Sequence, residues 1–223
     1  MALNASQLPE GLSLREDERG LALVGNGLEL RGDFGSLLPR VRQGALQREL
    51  LVRSARVRGV EGTPTAVDAT AGLGEDSFLL AAAGFEVTLC ERDAVIAALL
   101  RDALERAQAD ERLRDIASRM RMVEADGAEV LADLATPPDV VYLDPMFPER
   151  RRHAATNKKL QLFQMLESPC SDEEALLRAA LAARPRKVVV KRPLKGPHLG
   201  GAKPSSSLSG KVVRYDVYVP VRS

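Results

Sequence analysis

Hydrophobic and polar positions along this chain change their spacing several times, and each change predicts an element. In LALVGNGLELRGD, Leu21 to Asp33, two apolar runs flank Gly25-Asn26-Gly27. Asn-Gly tolerates the positive φ of a two-residue turn, so this segment predicts a β-hairpin. From about Leu37 to Val57 the apolar residues Leu38, Val41, Ala45, Leu46, Leu50 and Val57 recur among arginines, the pattern of one or two basic amphipathic helices.

Beyond residue 60 strand and helix patterns take turns. TAVDA (Thr65 to Ala69) predicts a buried strand, a glycine-bearing turn follows, and Asp76 to Ala83 predicts a short helix stopped by Gly84. EVTLCE (Glu86 to Glu91) is the next strand, and Asp93 can cap a helix whose apolar positions Val95, Ile96, Leu99, Leu100, Ala103, Leu104 and Ala107 keep helical spacing. RMVEA (Arg121 to Ala125) and VVYLD (Val140 to Asp144) read as strands separated by a helix over Gly127 to Leu134. Asp172 to Ala183 predicts a helix, KVVVKR (Lys187 to Arg192) a buried strand, and Val212 to Val221 an alternating strand at the edge of a mixed sheet. GPHLGGAKPSSSLSG, Gly196 to Gly210, reads as a long mobile loop. The alternation predicts a doubly wound, Rossmann-like α/β sheet, mostly parallel with an antiparallel edge strand, over residues 61–223. Residues 1–60 form a small N-terminal β/α extension in this reading.

Composition adds bounds. Charged residues make up 28% and hydrophobic residues 45% of the 223 positions, an ordinary globular balance. The formal net charge is only +1, so attraction to a polyanion depends on placement. Arg40 to Arg58 holds six arginines against the single acid Glu49, and Arg184 to Lys203 holds seven Lys/Arg and no acid. Cys90 and Cys170 lie far apart with no CxxC or Cys/His cluster, so no metal site is expected. No apolar run approaches a membrane span and no signal segment is evident, which predicts a soluble protein of the reducing cytoplasm.

In an open α/β sheet ligands bind outside the carboxyl ends of the strands. Four such places carry chemistry. After the first strand, DATAGLGED (Asp68 to Asp76) offers Gly72 and Gly74 for a tight turn and close backbone approach, a pattern that a plain strand-to-helix turn explains as readily. Glu75 and Asp76 stand where a dinucleotide phosphate would dock and would repel it, whereas a cationic, phosphate-free ligand such as S-adenosylmethionine suits them. Helix capping by Asp76 is the plainer alternative. Glu91, ending the second strand, can accept ribose hydroxyls, with Arg92 pairing with it or shaping the rim. Asp126-Gly127, after the third, can address an adenine edge or cap a helix. After the fourth, Asp144-Pro145-Met146-Phe147 is suited to a planar amine. Asp144 and the Pro145 carbonyl could each accept one N–H, Phe147 could stack on the ring, and the nitrogen lone pair would be aimed at a methyl donor.

Asp68-Ala-Thr-Ala-Gly-Leu-Gly74, Glu91-Arg92 and Val140-Val-Tyr-Leu-Asp-Pro-Met-Phe-Pro148 resemble class I S-adenosylmethionine-dependent methyltransferases, whose amino-methylating members carry Asp/Asn-Pro-Pro-Tyr/Phe at that place. YLDPMFP, the Phe163-Gln164 segment, VVVKRP (Val188 to Pro193) and Arg214-Tyr215-Asp216-Val217-Tyr218 further resemble the RsmJ family of small-subunit (16S) ribosomal RNA guanine-N2 methyltransferases. That resemblance implies S-adenosylmethionine as cofactor, contacted at Glu75-Asp76, Glu91-Arg92, Asp126-Gly127 and Asp144, and ribosomal RNA or the small ribosomal subunit as partner. Glu75, where that family usually has a basic residue, Asp126-Gly127, where it often has two small hydroxyl residues, and Leu46 to Gly59 depart from its pattern.

Arg150, Arg151, Arg152, Lys158 and Lys159, together with the acid-free Arg184 to Lys203, are expected to open beside the site and face phosphates. Solvated surface charge is the plainer reading of each taken singly. His153 is taken as a surface residue. The runner-up functions are an adenine-N6 or cytosine-N4 methyltransferase of another nucleic acid and a non-catalytic RNA-binding module; a nicotinamide dehydrogenase fits least.

Overall fold

The computed structural model describes residues 8–145, 162, 166 and 172–220. Three short antiparallel strands come first, β1 (Leu12–Asp17), β2 (Gly20–Gly25) and β3 (Leu28–Leu30). Gly25 pairs with Leu28 across Asn26 and Gly27, both at positive φ (52° and 70°), so the predicted hairpin is present. The sequence pattern gave no warning of β1, whose LSLRED is half charged. Ion pairs of Arg31 with Asp17 (2.9 Å) and of Arg19 with Glu29 (3.1 Å) tie the polar side chains of the small sheet together.

The basic stretch is broken into short helices. Leu38–Val41 (α1) and Leu50–Ala55 (α2) are separated by a turn, and Leu37, Leu51 and Ala55 are buried. Arg40 spans the break with two 2.8 Å hydrogen bonds donated to the Glu49 carboxylate.

The main sheet has seven strands: β4 (Thr65–Asp68), β5 (Glu86–Glu91), β6 (Met120–Glu124), β7 (Val140–Leu143), β8 (Lys187–Pro193), β9 (Ser206–Ser209) and β10 (Val213–Tyr218), in the spatial order β6-β5-β4-β7-β8-β10-β9. Strands β4 to β8 are parallel, and β10 runs antiparallel to both β8 and β9. Two expectations are corrected here. The closing strand is not at the edge, because the polar SSLS segment of the expected mobile loop pairs outside it as β9. The rest of that loop is held as well, by a 3-10 turn at Leu199–Gly201 and by side-chain bonds to its carbonyls.

The helices α3 (Glu75–Ala82), α4 (Ala94–Ala109), α5 (Arg114–Ala117), α6 (Gly127–Ala132) and α7 (Glu173–Ala182) follow the expected alternation. Strand side chains alternate between faces. Ala66, Leu89, Val140, Tyr142, Val189, Tyr215 and Val217 pack with Phe78, Leu79 and Leu80 of α3, while Val67, Val141, Leu143, Val188 and Val190 pack with Leu131 of α6 and Leu176, Leu177 and Ala180 of α7. Helix α4 is buried on two sides. Its Leu100, Ala103 and Leu104 join the first cluster, and its Val95, Ile96 and Leu99 meet Leu12, Leu23 and Leu30 of the small sheet. The N-terminal extension thus packs on the main layer through α4 and through Phe34, whose ring stacks on Phe78 at 5.0 Å.

The chain leaves β4 toward β5 and β6 on one side and returns to β7 on the other, so the strand order reverses beside β4. Such a switch point opens a crevice at the carboxyl ends.

Candidate active site

The first loop turns on two glycines. Gly72 (φ 55°) and Gly74 (φ 74°) lie in the left-handed region, and Gly74 rather than Asp76 is the N-cap of α3. A Cβ on Gly74 would meet Leu100 Cδ1 at 2.8 Å, so glycine also serves packing there. The Glu91 carboxylate, 4% exposed, accepts the amide of Gly72 at 2.9 Å and that of Asp93 at 2.8 Å. It is therefore no solvated strand end. It joins the turns that follow β4 and β5 and keeps unused lone pairs on both oxygens. Burial pushes its carboxyl up, against the two amides.

Arg92 does not pair with Glu91. It is exposed and reaches Asp126 at 3.4 Å instead. Asp93 caps α4 through Val95 and Ile96, and Asp126 caps α6 through Ala128 at 2.8 Å, as helix-capping chemistry anticipates. Gly127 is buried against the first loop.

On the α3 face of the sheet the alternation brings together Asp68, Tyr142, Asp144, Lys191 and Tyr215. Asp68, 1% exposed at the end of β4, accepts the Ser77 hydroxyl at 2.6 Å and the Thr70 amide at 3.1 Å. Desolvation pushes its carboxyl up to about 7. The Asp144 amide donates to Thr70 Oγ1 at 2.6 Å, tying the end of β7 to the first loop. Asp76 points inward instead of capping its helix, and its Oδ2 accepts both the Tyr142 hydroxyl (2.6 Å) and Lys191 Nζ (2.8 Å).

Lys191 Nζ also donates to Asp144 Oδ2 at 2.9 Å. Burial disfavours the Lys191 charge, yet Asp76 and Asp144 hold its ammonium well above the ordinary lysine range. Burial raises the Asp144 carboxyl, and Lys191 opposes the rise. For Asp76 burial also raises, but Lys191, Tyr142 and Arg40 together hold it below its ordinary value. Pro145 is buried; Phe147, with Arg150 to Arg152, His153, Lys158, Lys159, Phe163, Gln164 and Cys170, lies outside the described residues.

Sequence reasoning placed Lys191 among phosphate-facing cations. The signal that could have found it is the period-two position shared with Val189, in the strand next to Asp144. Other residues of that basic stretch are also committed elsewhere, which corrects the expectation that they open beside the site. Arg186 bonds Asp139 (2.8 Å) and Lys187 Nζ bonds the carbonyls of Ser54 (3.1 Å) and Arg56 (2.8 Å), all at the amino edge of the sheet. Arg192, with no exposed side-chain surface, pairs with Glu173 at 3.2 Å. Lys195 and Lys203 remain exposed.

The crevice can receive a cationic nucleoside: glycines of positive φ allow close approach, and Glu91, Asp126, Asp76 and Asp144 surround it with acceptors. Among the described residues no group of His, Cys, Asp and Glu could hold a metal ion, and no helix is long and apolar enough to cross a membrane. Cys90 is a buried core thiol, pushed up to about 12 by desolvation.

This strand order, with the antiparallel seventh strand inserted before the last and acceptors at the switch point, is the architecture of class I S-adenosylmethionine-dependent methyltransferases. A family model described as "Putative SAM-dependent methyltransferase" matches residues 13–220. The ribosomal RNA small subunit methyltransferase J of Chromobacterium violaceum is 47% identical over 188 residues, covering 83% of this chain and 73% of that protein. Its counterpart of the same name in Chromohalobacter salexigens is 43% identical over 225 residues, covering 98% and 85%. The SAM-dependent methyltransferase of Neisseria gonorrhoeae, a solved structure 35% identical, matches with a TM-score of 0.76 over 98% of this chain and 87% of its own. The chain belongs to this family of SAM-dependent methyltransferases.

Proposed function

We propose that the protein transfers a methyl group from S-adenosylmethionine to the exocyclic N2 of a guanosine in small-subunit ribosomal RNA. The observation that carries the reading is Asp144 at the switch point, one carboxylate oxygen held by Lys191 and its backbone bonded to the first loop. The names of the relatives support the RNA substrate.

S-adenosylmethionine supplies, when bound, a methyl carbon on a sulfonium that departs as a neutral thioether. Glu91, Asp126 and the Gly72 to Gly74 turn are the groups to receive its nucleoside, and the acids of the crevice favour its cationic end. Asp144 would accept one N–H of the guanine amine and the Pro145 carbonyl the other, which turns the nitrogen lone pair toward the methyl carbon. As that nitrogen gains positive charge in the displacement, the anionic Asp144 stabilises it and is the acceptor nearest its proton.

The test is transfer of tritium from labelled donor to small-subunit RNA, or to particles lacking the modification, followed by nucleoside analysis. N2-methylguanosine is expected, and Asp144→Ala should abolish it while the protein stays folded by circular dichroism. Label confined to adenine or cytosine, or to DNA, would overturn the substrate assignment.

A further inference from the structure

Among the described residues, Lys191 is the one cation whose hydrogen bonds reach two carboxylates of the site from different elements, Asp76 on α3 and Asp144 after β7. We infer that Lys191 is a positioning residue for methyl transfer: it anchors Asp144 Oδ2 and so presents Oδ1 to the substrate amine. The role rests on the reading of Asp144 given above.

The geometry makes the assignment specific. Lys191 lies beside Asp144 because Leu143 and Val190 are in register, and both side chains then fall on the α3 face. The Lys191 ammonium has three protons, two of which go to Asp76 and Asp144. Asp76 is in turn fixed by the Tyr142 hydroxyl, so the cation cannot follow a swinging partner. A carboxylate without this anchor could rotate about χ2 and offer either oxygen, or take up a proton and become a donor. The first change leaves the acceptor without a fixed position, and the second removes its charge.

The other charged or titratable groups around Asp144 do not replace the cation. Asp76 and Asp68 are anionic or acidic. Tyr142 is spent on Asp76 and its phenol is held well above the ordinary range by burial. Burial likewise lifts the phenol of Tyr215, the cross-strand partner of Lys191. Arg192 points to Glu173 on the opposite face, and Arg40 is engaged with Glu49. Lys191 is also no general base, since both carboxylates favour its protonated form.

The sign of the effect follows. A nearby cation stabilises the carboxylate, so its removal raises the Asp144 pKa, whereas removal of the neighbouring anion Asp76 lowers it. Two readouts decide the matter. In the first, carboxyl 13C NMR follows the Asp144 titration, its signal identified by loss in Asp144→Asn, in the wild type, Lys191→Met and Asp76→Asn. In the second, the pH profile of kcat/KM for methyl transfer is recorded for the same proteins and for Lys191→Arg.

The expected result is an Asp144 titration moved up by about one pH unit or more in Lys191→Met and down in Asp76→Asn, with the acid limb of the rate profile moving likewise. Lys191→Arg should keep the wild-type limb. Asp76→Asn is near-isosteric, so it gives the opposite-sign test should Lys191→Met fold poorly. An unmoved Asp144 titration in Asp76→Asn and Lys191→Met, or a loss of rate uniform across pH, overturns the inference and leaves Lys191 a mere tie between α3 and β8. If the wild type titrates as described yet transfers no methyl group to guanosine, the functional reading fails and the positioning role with it, and only the electrostatic coupling of Lys191 to Asp144 stands on the spectroscopy.

Discussion

Gly127 lies against Ala69 so closely that a Cβ on it would sit 2.2 Å from the Ala69 carbonyl oxygen and 2.6 Å from the Ala69 Cβ. The start of α6 and the loop after β4 therefore share one wall of the crevice. A side chain there must push the two loops apart, because its first neighbour is backbone and cannot rotate away. Gly127→Ala is expected to destabilise the protein by about 1–3 kcal/mol, the usual cost of overpacking, and to weaken S-adenosylmethionine binding. Urea unfolding and calorimetry measure the two; unchanged affinity in a folded variant would show that the wall is not part of the ligand site.

Asp68 ties pH to stability. Its carboxyl is raised from 3.8 in an unperturbed chain to about 7 by desolvation, so the folded protein binds that proton more tightly than the unfolded one. The resulting contribution is fully present below about pH 4 and is lost as pH rises through about 7. Asp68→Asn removes the titration while its Oδ1 can still accept the Thr70 amide and its Nδ2 can donate to Ser77 Oγ. The stability of the variant minus that of the wild type should grow between pH 5 and pH 8; a gap independent of pH would mean that Asp68 is ionised throughout.

Arg214 is predicted to be a structural cation. It donates to Asp216 and to the carbonyls of Pro193, Leu194, Gly196 and Pro197, holding the segment after β8 over the sheet. Arg214→Ala leaves the fully buried Asp216 short of its charged partner and should cost about 3 kcal/mol or more. RNA affinity of the protein that remains folded should change little, as filter binding would report; a loss of affinity at unchanged stability would assign Arg214 to the substrate instead.

Lys195 and Lys211 are the cations expected to meet phosphate. Both are exposed, next to Leu194 and Val212, whose backbones are hydrogen-bonded at 2.9 Å. Leu194 and Val212 are exposed too, three and more residues beyond Lys191 at the carboxyl edge. Substituting either lysine by alanine should weaken binding to small-subunit RNA with little effect on stability. The slope of log affinity against log salt should fall by about 0.7–0.9 for each contact removed. An unchanged slope would place the RNA elsewhere.

The parallel strands were legible because each is a short apolar run ended by a polar residue, and the ends carry Asp68, Glu91, Asp126 and Asp144. The hairpin at Asn26-Gly27 and the Asp93 cap were legible for a similar reason, since both are local chemistry. β1 and β9 escaped notice. LSLRED and SSLS have little apolar periodicity, and each becomes a strand only because a neighbour offers its open hydrogen-bonding edge. The arginines and lysines of 184–203 were misread as a group, because sequence shows the charge of Arg186, Lys187 and Arg192 but not the carboxylates and carbonyls that fold back to meet them. Lys191 was hidden among them for the same cause.

The sequence by itself determined the class of fold and the positions of the acidic strand ends, because period-two burial and turn chemistry act over a few residues. Only the tertiary structure decided what those ends do. Glu91 became a clasp between two loops, Asp76 left its helix terminus for Tyr142 and Lys191, and Gly127 was required by Ala69. Each of these depends on the register between strands far apart in the chain, which fixes the distance between charges, and distance is what turns a carboxylate into a cap, an ion-pair partner or a catalytic acceptor.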